Sequence, residues 1–310
     1  MTFANAALRL RARLDALPGN VRGVLWVLAG GFMLTLMFAA IKFVIADVPP
    51  FVATLFRTLV AFLLVLPWLA SVGRAGIATK RIGMHFLRTL AGIGSFACIV
   101  FAMQDLILSD AIVLSFSYPL WSIIIVGLAM GERVRVRRTI ATVVGFAGVV
   151  LVVQPHGGVE PAALLAIASA LLTTLALITV KSLTRTEPPE RIVFYFFSFG
   201  VLILIVPALL TWKTPSWEHF AWLAAAGVCG VVGQTWMTRA YRAAEITVIQ
   251  PIDFLRIPMA AAMGFVLFGE VPNLVAGIGT AIIMVACYYI AQREARLRRD
   301  VVRAPQPPVA

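Results

Sequence analysis

The stretch Ser109–Val153, SDAIVLSFSYPLWSIIIVGLAMGERVRVRRTIATVVGFAGVVLVV, decides how the whole chain is interpreted. An apolar run carries Pro119 near its middle, ends at Gly131-Glu132 and is followed, after a group of arginines, by a second apolar run. The same arrangement returns between Ile246 and Ile290, where Gly269-Glu270 ends the first apolar run. The two Gly-Glu pairs lie 138 positions apart, and this spacing predicts an internal repeat.

The composition indicates an integral membrane protein. Of 310 residues, 61% are hydrophobic and 13% are charged, with a mean hydropathy of +0.96, whereas a soluble domain is roughly half apolar and about a quarter charged. The formal charge of +12 does not indicate nucleic acid here, because most cations lie in the short segments that connect or flank the apolar runs. We expect a lipid bilayer and a small solute as partners, no nucleic acid, and a monomer or weak oligomer.

Neither a metal, a cofactor nor a catalytic residue is predicted. The three cysteines lie within apolar runs without a Cys-x-x-Cys pair, and the three histidines are far apart. The chain also lacks the GxxxxGK[ST] motif, so this chain alone does not couple transport directly to ATP.

Ten apolar runs have about the length that a helix needs to cross a bilayer, roughly 20 residues. They cover residues 22–45, 49–70, 84–105, 108–130, 139–155, 161–181, 191–211, 218–240, 246–268 and 271–291. The expected domains are a cytoplasmic segment 1–20, a five-helix unit 21–155, a second five-helix unit 161–292 and a basic cytoplasmic tail 293–310.

The lysines and arginines predict the orientation of these helices. Of the 26, 21 lie in the two tails, the even-numbered connections and the run ends that border them, four lie further inside runs, and only Lys213 lies in an odd-numbered connection. Cytoplasmic segments carry the excess of positive charge. Both termini are therefore expected in the cytoplasm, in a multi-pass protein of the cell inner membrane.

Further matches extend the repeat over the whole chain. Leu36–Lys42 resembles Leu175–Lys181 at a spacing of 139, and Gly92 corresponds to Gly230 at a spacing of 138. Each unit has five helices, an odd number, so the two units face opposite ways across the membrane. Inverted repeats of this kind are typical of transporters that bind solute at the midplane and alternate between two open states.

With this repeat, a mid-helix proline and a terminal Gly-Glu in the fourth helix of each unit, the chain resembles the drug/metabolite transporter superfamily, EamA type. The resemblance covers about residues 21–292. It implies solute movement across the inner membrane, frequently export. Within the superfamily the chain is most similar to bacterial exporters of aromatic and neutral amino acids of the YddG kind.

Charged residues inside apolar runs are costly and by default mark a solute pathway. Arg256, near the middle of its run, is expected to pair with Asp253 on the same helix face, either as a structural pair or along the pathway. Arg57 lies deep enough to make snorkelling difficult, whereas Lys42 either binds solute or reaches the headgroups. Arg88, four or five residues from the inner surface, is expected to extend to the headgroups.

Neutral side chains complete the candidate site. The candidate solute-binding residues are Lys42, Arg57, Ser117, Tyr118, Gln234, Trp236, Gln250, Asp253 and Arg256. Prolines within helices free a backbone carbonyl, and helix-terminal Gly-Glu pairs either cap the following helix or take part in gating. The candidate hinge and gate residues are Pro119, Gly131, Glu132, Pro251, Pro258, Gly269 and Glu270.

We therefore predict a non-enzymatic transporter, moving neutral or aromatic amino acids by alternating access through a central cavity between the repeats. With Arg256 taken as the only deep arginine, phosphorylated solutes are not expected to bind strongly. The alternatives are a carrier of another metabolite, such as a cationic or nucleotide-like solute, and an intramembrane lipid-modifying enzyme. The enzyme would need clustered His, Asp or Glu.

Overall fold

The computed structural model describes residues 18–130, 136–154, 160–244, 249 and 252–303, and the secondary structure within them is entirely helical. The helices are α1 (Gly19–Lys42), α2 (Pro50–Ile77), α3 (Ile82–Ala102), α4 (Leu108–Ser115), α5 (Tyr118–Met130), α6 (Val136–Val153), α7 (Pro161–Leu183), α8 (Pro189–Leu210), α9 (Trp217–Ala243), α10 (Arg256–Phe268) and α11 (Leu274–Arg303).

Each apolar run of the sequence overlaps at least one of these helices. Six helices are long and apolar enough to cross a bilayer, namely α1, α2 as far as Gly73, α3, α7, α8 and α9. Ile140–Val153, Arg256–Phe268 and Leu274–Tyr289 are shorter apolar helices. The fourth run is divided into α4, of 8 residues, and α5, of 13 residues. The expected ten crossings thus appear as six clear spans together with shorter helices.

The helix contacts follow the predicted repeat. Helices α1 to α6 belong to the first copy and α7 to α11 to the second. The most extensive contacts join α1 to α9, α3 to α7, α6 to α11 and α2 to α8. If the two copies are exchanged, the α1–α9 contact becomes the α7–α3 contact. The α2–α8 and α6–α11 contacts then map onto themselves. The contact pattern therefore has an approximate two-fold symmetry.

Apolar side chains cover the outside of this bundle. Leu210, Val266 and Val285 are 82%, 76% and 68% exposed, and many other large apolar residues are exposed on the same helices. In a bilayer such a surface faces lipid, while the helices satisfy their own backbone hydrogen bonds. Several polar and charged side chains, including those of Arg57, Arg88 and Asp253, are instead buried in the interior.

Candidate solute-binding site

A polar cavity lies between the two copies of the repeat. Its volume is about 160 Å³, measured as the space open to the centres of water-sized molecules. One water needs roughly 10–15 Å³ by this measure, so the cavity has room for a small organic solute. Its polar lining residues are Arg57, Arg88, Ser95, Ser115, Tyr118, Ser169, Thr173, Gln234, Thr238, Tyr241, Asp253 and Arg256.

Two interrupted helices, one in each copy, form part of the cavity wall. The chain leaves the helix between Ser115 and Tyr118, where the Ser117 N–H donates to the Leu114 carbonyl in a tight turn. Pro119 follows as the second residue of α5. A proline within a helix has no N–H to donate and its ring crowds the preceding turn, which favours such a break.

The second copy breaks at the corresponding place. The Leu255 N–H donates to the Ile252 carbonyl and the Ile257 N–H donates to the Phe254 carbonyl before α10 continues. Pro258 is the third residue of α10. Each proline therefore follows a break in its helix, and the residues around both breaks include cavity-lining side chains.

Arg57 reaches the cavity from α2 and is 1% exposed. The centre of its guanidinium lies 3.8 Å from the centroid of the Phe96 ring. It donates to the Met37 sulfur at 3.4 Å and to the Thr58 hydroxyl at 3.2 Å, while its Nε has no partner among the described residues. A thioether is a weak acceptor, so most of the hydrogen-bonding capacity of this cation remains available.

Arg88 reaches the same cavity from α3 and is 4% exposed, so the expected extension to the headgroups is wrong. Its guanidinium lies 3.7 Å from the centroid of the Phe196 ring and donates to the Gln234 side-chain oxygen at 3.1 Å. Its Nε and Nη1 have no hydrogen-bond partner within the described residues. The number of residues between Arg88 and the inner surface does not reveal whether its side chain points to the headgroups or into the bundle.

Two repeat-related glycines make room for these arginines. A Cβ at Gly92 would lie 2.9 Å from Arg88 Nη1, and a Cβ at Gly230 would lie 3.1 Å from Arg57 Nη1. Both distances are shorter than ordinary van der Waals contact. Each of these repeat-related glycines therefore allows one guanidinium to reach the cavity.

Asp253 and Arg256 form the predicted ion pair, with Oδ1 and Nη1 3.5 Å apart. The pair lies in the cavity wall, and Arg256 also lies 4.9 Å from the centroid of the Phe116 ring. Tyr118 lines the same cavity, and its hydroxyl has no hydrogen-bond partner among the described residues. The wall therefore combines both charges with a tyrosine.

Four hydroxyl groups form a chain along another part of the wall. The Ser95 hydroxyl lies 2.9 Å from that of Ser169 and 2.7 Å from that of Thr173, and Ser115 lies 3.1 Å from Ser169. Hydroxyls both donate and accept, so this chain can adapt to either kind of polar group on a solute. Ser169 and Thr173 were not among the sequence candidates.

Lys42 and Glu270 form an ion pair at one end of the bundle rather than in the cavity. Gly269, in the left-handed conformation with φ of 66°, ends α10 and turns the chain back. The Glu270 carboxylate then accepts the Leu108 N–H at 2.8 Å, at the first residue of α4. Of the two alternatives for Glu270, capping of its own following helix is not the contact seen, because the carboxylate caps a helix of the other copy.

The repeat mate of Lys42 has a related environment. Lys181 donates to the Tyr241 carbonyl at 2.8 Å and to the Ala244 carbonyl at 3.2 Å, as Lys42 donates to the Leu106 carbonyl at 3.0 Å. Both lysines thus bind the backbone close to a helix end within their own copy. Gly131 and Glu132, the repeat mates of Gly269 and Glu270, lie outside the described residues.

A polar network at the C-terminal end of α2 joins the α2–α3 connection to the α7–α8 connection. The Thr79 hydroxyl donates to Glu187 at 2.6 Å, and Arg191 pairs with the same carboxylate. Burial alone would raise the pKa of Glu187, but the hydrogen bond from Thr79 and the Arg191 guanidinium together lower it. Arg81 adds bonds to Ser182 at 2.6 and 2.9 Å.

The remaining candidates are dispersed. Trp236 packs against Trp26 at 5.8 Å between ring centroids and is not among the cavity-lining residues. The Ser117 hydroxyl donates to the Leu114 carbonyl within the α4–α5 break, also outside the lining. Gln250 and Pro251 lie outside the described residues.

A helical membrane fold with two packed copies of one unit and a solute-sized polar cavity between them is that of a membrane transporter. The chain belongs to the EamA-like transporter family, which matches residues 21–154 and 160–292.

Individual relatives carry different solutes. The riboflavin transporter of Rhizobium johnstonii is 32% identical over 90% of this chain and 94% of its own length. The pseudopaline exporter of Pseudomonas aeruginosa is 26% identical over 87% of this chain and 96% of its own. A crystal structure of 18% identity, covering 87% of this chain and 97% of that one, has the same fold with a TM-score of 0.60.

Proposed function

We propose that this protein carries a small ring-bearing metabolite across the cell inner membrane by alternating access through the cavity between the repeats. The observation that supports the proposal is the position of the cavity, which both copies line with buried polar and aromatic side chains. Transporters built from paired repeats hold solute at this interface and open it to each side in turn.

In this proposal ten helices cross the membrane as two inverted five-helix repeats, 21–155 and 161–292, with the segments 1–20 and 293–310 in the cytoplasm. The charge distribution of the sequence supports that orientation. The two-fold contact pattern of the helices supports an exchange of roles between the copies.

The gates are proposed to lie where the copies meet at the bundle ends. Glu270 is bonded both to Lys42 and to the start of α4, so opening that end requires these contacts to separate. The breaks beside Pro119 and Pro258 let half-helices move without bending a continuous helix. Gly131 and Glu132 are assigned to the same role as the repeat mates of Gly269 and Glu270, and Pro251 as a further proline near the start of its apolar run.

The solute site is proposed to combine aromatic and polar recognition. Phe38 and Phe96 stack in the cavity wall at 5.3 Å between ring centroids, near the guanidinium of Arg57. Tyr118, Gln234 and the hydroxyl chain supply neutral hydrogen bonds. A planar ring with polar substituents fits this lining, and the relative that transports riboflavin carries a solute of that kind.

Export of a neutral or aromatic amino acid is the second candidate. Asp253 offers a carboxylate for an ammonium group, and the cavity arginines offer donors for a carboxylate. This arrangement matches a zwitterion, although a solute ammonium would have to compete with Arg256 for Asp253.

The test is transport by the purified full-length chain in sealed vesicles. Vesicles are preloaded with unlabelled riboflavin or phenylalanine, and entry of the same labelled compound is followed as exchange. Riboflavin exchange above that of protein-free vesicles supports the first candidate, and phenylalanine exchange supports the second. The variant Arg239→Gln should exchange solute like the parent chain, because Arg239 pairs with Glu190 outside the cavity lining. Failure of both compounds would remove both substrate assignments.

A further inference from the structure

The cavity is more positive than its neutral solute candidates require. Its lining contains three guanidinium groups, those of Arg57, Arg88 and Arg256, and one carboxylate, that of Asp253. The carboxylate already lies 3.5 Å from Arg256. Arg57 and Arg88 have no carboxylate partner among the ion pairs of the described residues.

Two buried cations without counter-charges are costly in a low-dielectric interior. Stacking on Phe96 and Phe196 offsets part of that penalty, since a desolvated cation is attracted to the face of an aromatic ring. It does not satisfy the remaining N–H groups, because Nε of Arg57 and both Nε and Nη1 of Arg88 still lack acceptors among the described residues.

The repeat places the two guanidinium groups in corresponding surroundings. Arg57 stacks on Phe96, and the repeat mates of these two positions are Phe196 and Gln234, at spacings of 139 and 138. Arg88 contacts both of those mates. Each half of the cavity therefore contains one guanidinium on a phenylalanine face.

We infer that Arg57 and Arg88 form the binding site for an oxyanion group, a carboxylate or phosphate, on the transported solute. Arginine suits this role because its planar fork of five donors matches the oxygens of either group. The inference rests on the proposed transport function and deepens it. It also reverses the expectation that phosphorylated solutes bind weakly, because that expectation assumed a single deep arginine.

Matched pairs of compounds test the inference. Riboflavin 5′-phosphate is compared with riboflavin, and indole-3-acetate with indole-3-acetamide, by thermal shift of the purified full-length chain. Hydrogen bonds to charged groups are worth about 1.5–3 kcal/mol, so each acid is expected to bind roughly 10- to 100-fold more tightly than its neutral partner. If only riboflavin 5′-phosphate binds more tightly than its neutral partner, the recognised group is a phosphate. If only indole-3-acetate does, the recognised group is a carboxylate.

Variants link the preference to the two arginines. Arg57→Gln and Arg88→Gln should each remove most of it, and Arg239→Gln should retain it, because Arg239 does not line the cavity. If either glutamine variant fails to fold, Arg57→Lys and Arg88→Lys keep the charge but lose the fork, and should weaken the preference.

The outcomes separate this inference from the proposed function. The anion site is overturned if each acid binds no more tightly than its neutral partner, or if neither acid binds. It is also overturned if the preference for the acids persists in both glutamine variants. Riboflavin exchange without competition from either acid would leave transport standing and remove the anion site. Arginine-dependent acid binding without any flux through vesicles would leave the site standing and remove the transport proposal.

Discussion

Glu270 joins three parts of the bundle, and its removal gives a quantitative prediction. Its carboxylate pairs with Lys42 and accepts the Leu108 N–H at 2.8 Å. The Lys42 and Glu270 side chains are 14% and 13% exposed, so water screens the pair only partly. The three variants that separate these contacts are Glu270→Gln, Glu270→Ala and Lys42→Met.

The magnitudes follow from what each variant leaves unpaired. Breaking a fully buried pair costs about 3–5 kcal/mol, and because this pair keeps some exposure we expect roughly 2–4 kcal/mol for Glu270→Gln. Glutamine still offers an acceptor to the Leu108 N–H, whereas Glu270→Ala also loses the helix cap, which adds about 1 kcal/mol. The double variant Lys42→Met/Glu270→Gln should recover part of the loss, with a coupling energy of roughly 1–3 kcal/mol.

Unfolding of the purified chain in mixed detergent and dodecyl sulfate micelles measures these differences. The control is Glu190→Gln, since Glu190 and Arg239 form a more exposed pair, with side chains 32% and 35% exposed. Such pairs contribute about 1 kcal/mol or less. The reasoning is refuted if Glu270→Gln is as stable as the parent chain, or if the effects of the Lys42 and Glu270 substitutions simply add.

Three further predictions follow from other contacts. Gly157→Cys and Thr186→Cys, in a chain lacking its native cysteines, should label from opposite sides of the membrane; labelling of both from outside would contradict the proposed topology. Arg256→Ala should impair folding or flux more than Asp253→Asn with Arg256→Gln together, because the single change leaves a buried carboxylate unpaired; a double variant no better than the worse single variant would argue against pairing. Since the pKa of Glu187 is lowered in the folded chain, its carboxylate stabilises the fold above the unfolded pKa, about 4.3, and that contribution is lost as pH falls through the folded value. Glu187→Gln should therefore destabilise the chain at pH 7 but lose this effect under acid, as measured by thermal unfolding across pH.

The main features of the fold could be predicted from sequence because a membrane imposes a strong local pattern. Apolar runs located the helices, and the Gly-Glu pair located the end of α10 at Phe268. The mid-run proline indicated the interruption of the fourth run, which the structure places just before Pro119. The precise place of a break depends on packing with neighbouring helices, and a single sequence does not encode this locally.

The site was predicted less completely because its contacts join distant parts of the chain. The partner of Glu270 lies 162 positions away, at the start of α4. Arg88 was assigned to the headgroups by its distance from a helix end, although its burial depends on Phe196 and Gln234 in the other copy. Gly92 was the available signal, since its lack of a side chain is what lets Arg88 turn inward.

The two copies share a backbone plan but not their charges. Gly92 and Gly230 occupy repeat-related positions and both face a guanidinium, yet one arginine comes from α3 and the other from α2. Arg57 corresponds to Phe196, so an aromatic ring in one copy stands where the other has a cation. Each half of the cavity nevertheless holds one guanidinium on a phenylalanine face, because Arg88 of the first copy reaches Phe196 of the second. Arg57 and Arg88 both come from the first copy, so the repeat keeps the positions of these two guanidinium groups but not the copy that supplies them.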